Sequence, residues 1–137
     1  MANNYTLFSE AIKKPTKREL AWLIKEHKRR NAEDVDRDET MGDFQLFIEA
    51  GDAYVISDEC GNVDHASDFI QTFLKKFRPD SCFHIEWAST CSLPRAGEFG
   101  GGAIFITAKK MTWFNSSDFV NNEEKKFEKA NRRKRKA

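Results

Sequence analysis

The sequence predicts an α+β fold, and three observations lead to it. Two stretches, "PTKRELAWLIKEHKRR" (residues 15–30) and "NVDHASDFIQTFLKKFRP" (62–79), repeat apolar residues at helical spacing. Around them lie runs in which β-branched and aromatic residues alternate with polar ones, most plainly "CFHIEWAS" (82–89). Twelve phenylalanines among 137 residues need a shared core, and helix stripes facing a sheet supply one.

The elements follow in order. "NYTLFSEAI" (4–12) reads as a short strand or extended segment. Thr16 and Glu19 then have the spacing of a capping box, where each satisfies a backbone N–H left open at a helix start, and Leu20, Leu23, Ile24 and His27 fall on one face of that helix. "NAEDVDRDETMGD" (31–43) holds six acidic residues among thirteen and reads as an exposed loop. Two β-prone runs, 44–49 and 53–57, flank Ala50-Gly51-Asp52, where glycine permits the positive φ of a tight hairpin.

A second helix follows, with Asn62 as its cap, Pro79 as its stop, and Val63, Ala66, Phe69, Ile70, Phe73, Leu74 and Phe77 on one stripe. In the next strand Phe83, Ile85 and Trp87 alternate with Cys82, His84 and Glu86. A strand ending near Thr107 and a short one at 111–114 come after the glycine-rich stretch. Ser116 or Ser117 caps a last helix whose apolar stripe ends at Phe127, leaving "NRRKRKA" to fray. The first six elements match the split β-α-β arrangement of ferredoxin-like domains, an antiparallel β-α-β-β-α-β sheet, here with an extra strand and a C-terminal helix.

The expected organisation is one α+β domain over 1–124 and a basic helix end or tail over 125–137. Hydrophobic residues at 39% and charged residues at 33% exclude a disordered chain and a membrane protein. No apolar run approaches the roughly 20 residues that span a bilayer, and "MANNYTLFSE" lacks the basic start and apolar segment of a secretory signal. The expected location is cytoplasmic, without membrane association.

Several constellations were weighed for chemistry. Cys60, Cys82 and Cys91 are odd in number and lack a CxxC spacing, which suits reduced thiols. With His65 and His84 they form no closed four-ligand zinc pattern, so neither metal nor cofactor is expected. In "CSLPRAGEFGGGAIFIT" (91–107) the glycines run into a strand rather than a helix and no P-loop lysine follows. The expectation there is a strand connection in which Gly100, Gly101 and Gly102 supply a bulge or a close backbone approach. The glycine-aromatic signature of RNA-recognition motifs falls on the fifth strand instead of the third. An enzyme site around Cys91, Arg95 and Glu98 has the residue types but no diagnostic spacing.

Charge is unevenly spread. Lys125–Lys136 holds eight Lys/Arg and one Glu, about +7, which leaves about −6 for residues 1–124 within the total of +1. Five successive cations, Arg132, Arg133, Lys134, Arg135 and Lys136, exceed what a helix C-terminus needs to complement its dipole. They point to nucleic acid or to an acidic surface.

Over residues 53–120, "KKFRP", "WASTCSLPRAGEFGGGA" and "WFN" carry a resemblance to small proteins of uncharacterised function from bacteriophages, plasmids and other mobile elements. The resemblance implies a setting and no activity, and the basic end lies outside it. In that setting the expected function is a non-catalytic binding protein, an inhibitor that occupies the nucleic-acid-binding surface of a host defence protein. Glu33, Asp34, Asp36, Asp38 and Glu39 would supply its charge, and Trp113 with Phe114 an apolar anchor. The alternative is a nucleic-acid-binding accessory protein using the basic tail; the second alternative is the small enzyme.

Overall fold

The computed structural model describes residues 3–35 and 44–136. The chain runs β1 (Asn4–Ile12), α1 (Lys17–Val35), β2 (Gln45–Glu49), β3 (Asp52–Ser57), α2 (Val63–Phe77), β4 (Cys82–Cys91), β5 (Gly100–Thr107), β6 (Met111–Asn115) and α3 (Ser116–Lys136). Six strands form one sheet in the order β2-β3-β1-β4-β5-β6, and every neighbouring pair is antiparallel. The fold is therefore α+β, with two strands more than the four of the expected β-α-β-β-α-β unit.

The expected start signals of α1 and α2 and the expected hairpin turn operate locally. Thr16 Oγ1 accepts from the Glu19 N–H at 3.1 Å while Glu19 Oε1 accepts from the Thr16 N–H at 2.8 Å, the reciprocal pair of a capping box. Asn62 Oδ1 accepts from the His65 N–H at 3.1 Å and starts α2. The β2–β3 hairpin closes Glu49 onto Asp52 through Ala50 (φ 54°) and Gly51 (φ 85°), both in the left-handed region that a two-residue I′ turn requires.

The core lies between one sheet face and the helices α1 and α2. Phe69, Ile70, Phe73 and Leu74 of α2 and Leu23 of α1 form one buried cluster with Val55, Ile85, Ile104 and Ile106 of the sheet. Trp22 joins the helices, with its ring 5.7 Å from Phe69 and 5.8 Å from Phe77. Two polar ties reinforce this: Arg78 Nε donates to Glu19 Oε2 at 2.8 Å, and Arg30 bonds Glu26 at 3.0 Å and Asp68 at 2.8 Å.

Four local expectations are corrected. Ile24 is exposed and Trp22 packs toward the core, while Leu20, Leu23 and His27 keep their places, so the buried face of α1 is turned by less than one residue step from the expected stripe. Residues 31–35, read as loop, continue α1; no glycine or proline interrupts them, and Asn31 Nδ2 lies 3.1 Å from the His27 ring. Strand β5 begins at Gly100, inside the glycine run. Helix α3 persists to Lys136 instead of fraying at Asn131.

Candidate functional site

The glycine run serves packing. Trp87 sits opposite Gly102 on the neighbouring strand, and a Cβ at Gly102 would meet the Phe114 carbonyl oxygen at 2.2 Å and the Trp87 ring at 2.6 Å. A Cβ at Gly101 would meet the Trp87 carbonyl oxygen at 2.5 Å. The Gly101 N–H donates to Ser116 Oγ at 3.1 Å, tying β5 to the start of α3. The expected close backbone approach is thus found, and its purpose is to let the Trp87 indole lie over β5 toward Trp113, 6.2 Å away.

Two open clefts flank Trp87. One of about 370 Å³ is bordered by Tyr5, Ser89, Glu98, Phe99, Asn115 and Ser117. The other, of about 480 Å³, lies against Cys60, Asn62, Asp64 and Trp113. Cys91 stands at the end of β4 opposite Asn4, and Arg95 lies exposed in the following loop. Among the described residues no hydrogen bond or ion pair joins Cys91, Arg95 and Glu98, so the nucleophile-base contact on which acyl or thiol chemistry depends is not assembled there.

The carboxylates held below their ordinary range serve the scaffold. Glu19 is lowered chiefly by its hydrogen bond from Arg78. Glu26 is lowered to about 2 by Arg29 first and Arg30 after it, against partial burial. Asp52 is lowered first by the Lys14 N–H. All three fasten one element to another or to itself.

Helix α3 is the most prominent charged feature. Asn115 Oδ1 accepts from the Asp118 N–H at 2.8 Å and Asn115 Nδ2 donates to Asp118 Oδ2 at 2.8 Å, so Asn115 is the cap rather than Ser116 or Ser117. The 21 residues span about 31 Å, and from Ser117 to Arg135 every side chain except Asn131 is exposed. Lys125, Lys129, Arg132 and Arg133, at i, i+4, i+7 and i+8, border one shallow groove of about 490 Å³. The five successive cations read as a block are therefore distributed around a helix. Arg132 and Arg133 join two upstream lysines on one stripe, while Lys134 and Arg135 lie exposed on other sides. Helical phase was the missing signal: once α3 is known to continue, Lys125 and Lys129 belong to the same face.

The other expected site residues separate. Glu33 and Asp34 fall on the last turn of α1, and Asp36, Asp38 and Glu39 lie outside the described residues. Trp113 and Phe114 are adjacent in β6 and so take opposite sheet faces: Trp113 reaches Trp87, whereas Phe114 reaches Phe119 of α3 at 6.3 Å. They do not form one anchor.

A grouping that the sequence did not suggest gathers where β1 and β4 adjoin, with the Glu10 carboxylate accepting from the Glu86 N–H at 3.4 Å. Glu10, His84 and Glu86 bring one donor atom each within 4.8 Å of one another, with His84 Nε2 3.7 Å from Glu10 Oε2. No helix among the described residues is long and apolar enough to cross a membrane. No family model, curated protein or solved structure matches the chain.

Proposed function

We propose that the protein is a non-catalytic nucleic-acid-binding protein that grips the phosphate backbone with α3. The observation that carries this reading is the stripe of Lys125, Lys129, Arg132 and Arg133 along one face of an uninterrupted, exposed helix. Eight residues of helix rise about 12 Å, which matches three to four phosphates at about 3.4 Å per charge along one strand. Contacts from such a stripe to phosphate oxygens fix position on the nucleic acid and carry little sequence preference. The mobile-element setting implied by "TCSLPRAGEFGGGA" accommodates such an accessory role. The strand order β2-β3-β1-β4 supports a ferredoxin-like reading of the first four strands, to which β5, β6 and α3 are additions.

The test is binding of a generic duplex across a salt series. Changing Lys125, Lys129, Arg132 and Arg133 to Gln should weaken binding steeply and reduce the log-log salt slope by about 3 to 4, because each neutralised phosphate contributes about 0.9. No retention of the full chain on nucleic acid at low salt overturns the reading. A second reading, a basic protein partner, is favoured by one observation: none of the six strands contains a lysine or arginine, while the carboxylates of Glu10 and Glu86 come together across β1 and β4.

A further inference from the structure

We infer that the uncovered face of the sheet is a docking surface for helix α3 of a second copy of this chain. Helices α1 and α2 bury one side of the sheet, and the alternation of β4 and β5 puts His84, Glu86 and Phe105 on the other. Phe105 and Phe114 are about half exposed there, at 49% and 56%. Toward the far edge, the facing pair Phe47 and Tyr54 extends the aromatic surface.

Helix α3 has the complementary deficiency. Phe119, Val120 and Phe127 fall on one side of it at i, i+1 and i+8 and are exposed at 55%, 49% and 68%. It meets its own sheet at β5 and β6 through its first turn, by the Ser116 and Phe119 contacts, and Phe127 has no such cover. The contact between Phe114 and Phe119 makes the apolar strip of the helix continuous with that of the sheet. An exposed apolar surface running over two elements marks an interaction site.

Charge selects the occupant. The chain has 23 Lys and Arg, yet its strands carry none, and the uncovered face presents Glu86, whose N–H the Glu10 carboxylate reaches at 3.4 Å from the neighbouring strand. On α3, Lys126 and Lys134 stand seven residues beyond Phe119 and Phe127 and share their side of the helix with Glu123, which Lys126 meets at 3.3 Å, so that side stays net basic by one charge. An apolar and acidic face therefore meets an apolar and basic helix, both belonging to the same molecule. Each copy offers one of each, so a two-fold exchange satisfies both contacts and closes. The lengths agree: α3 spans about 31 Å, and the ten residues of β4 span about 33 Å. Lys125, Lys129 and Arg132 lie on the opposite side of α3 and remain outward, so the inference stands whether or not they bind nucleic acid.

The experiment measures the mass of the nuclease-treated full chain by light scattering and sedimentation. The expected species is a dimer, about twice the 15.9 kDa chain; a monomer at every concentration reached overturns the inference. Two variants then separate the arrangements. Glu10→Lys with Glu86→Lys, and separately Lys126→Glu with Lys134→Glu, should each raise the dimer dissociation constant by at least about tenfold, because like charges then face each other. Mixing the two should restore a heterodimer, since both contacts again pair opposite charges. If the first variant alone stays dimeric, helices pair with helices; if the second alone stays dimeric, sheets pair with sheets; either result overturns the inference. Thermal melts of both variants establish that they are folded; should Glu10→Lys unfold the chain, since the Glu10 side chain is 20% exposed and bonds the Glu86 N–H, Glu86→Lys alone carries the test.

Discussion

Ala50 carries a backbone conformation that alanine adopts at a cost, φ 54° beside Gly51 at φ 85°. Asparagine tolerates that region and is the preferred first residue of a two-residue I′ turn, so Ala50→Asn should stabilise the fold by about 1 kcal/mol, read as a raised thermal midpoint. Gly102 is the opposite case, because any Cβ there meets the Phe114 carbonyl and the Trp87 ring. Gly102→Ala should cost about 2 kcal/mol by overpacking, and the Trp87 fluorescence should change with it. Glu26 makes stability pH-dependent. Its folded-state carboxyl titrates at about 2 against an ordinary 4.5, so the unfolded chain binds more protons between those values. Its contribution is complete above pH 4.5 and is lost as the pH falls toward 2. Glu26→Gln should flatten the acid limb of a plot of thermal midpoint against pH; an unaltered limb would remove Glu26 as its cause.

Among the elements, α2 was the most legible, because its cap, its apolar stripe and its stop agree with one another. Phe73 is 1% exposed, and Phe73→Ala should cost about 3 to 5 kcal/mol in chemical denaturation. Helix α1 was legible as a helix but not in its rotation. Ile24 and Trp22 fit adjoining faces equally well, and three phenylalanine rings of α2 decide for Trp22. Helix α3 runs on past its last apolar residue because no glycine or proline follows Gly102 and lysine, arginine, glutamate and alanine all favour helix. Its start depends on Asn115, and Asn115→Ala should lower its stability by about 1 kcal/mol, seen as faster amide exchange in the first turn.

At the scale of the whole molecule, charge and packing are segregated. Cations occupy helices and loops, the strands carry none, and α3 meets the sheet through Ser116 and Phe119 of its first turn while residues 117–130 stay exposed. Residues 1–123 should therefore fold without the rest of α3, and at concentrations where the full chain is monomeric the cost should be under about 1 kcal/mol, since exposed residues contribute little. A thermal melt of that truncated chain checks this, and loss of its cooperative transition would mean that α3 supports the core. The same truncation removes every cation of the basic stripe, so nucleic-acid retention and thermal stability should part company.

The sequence by itself determined the kinds of element and most of their limits, because helix and strand periods, the Thr16–Glu19 box and the Asn62 cap act within a few residues of chain. It also determined the separation of Trp113 from Phe114, once β6 was read as a strand. Tertiary structure alone decided the order β2-β3-β1-β4-β5-β6, the seat of Trp87 over Gly102, and the meeting of Glu10 with His84 and Glu86. These join residues as many as 87 positions apart, such as Asn4 and Cys91. No local period encodes such a pairing; it follows from the burial summed over the whole sheet, which leaves one face uncovered.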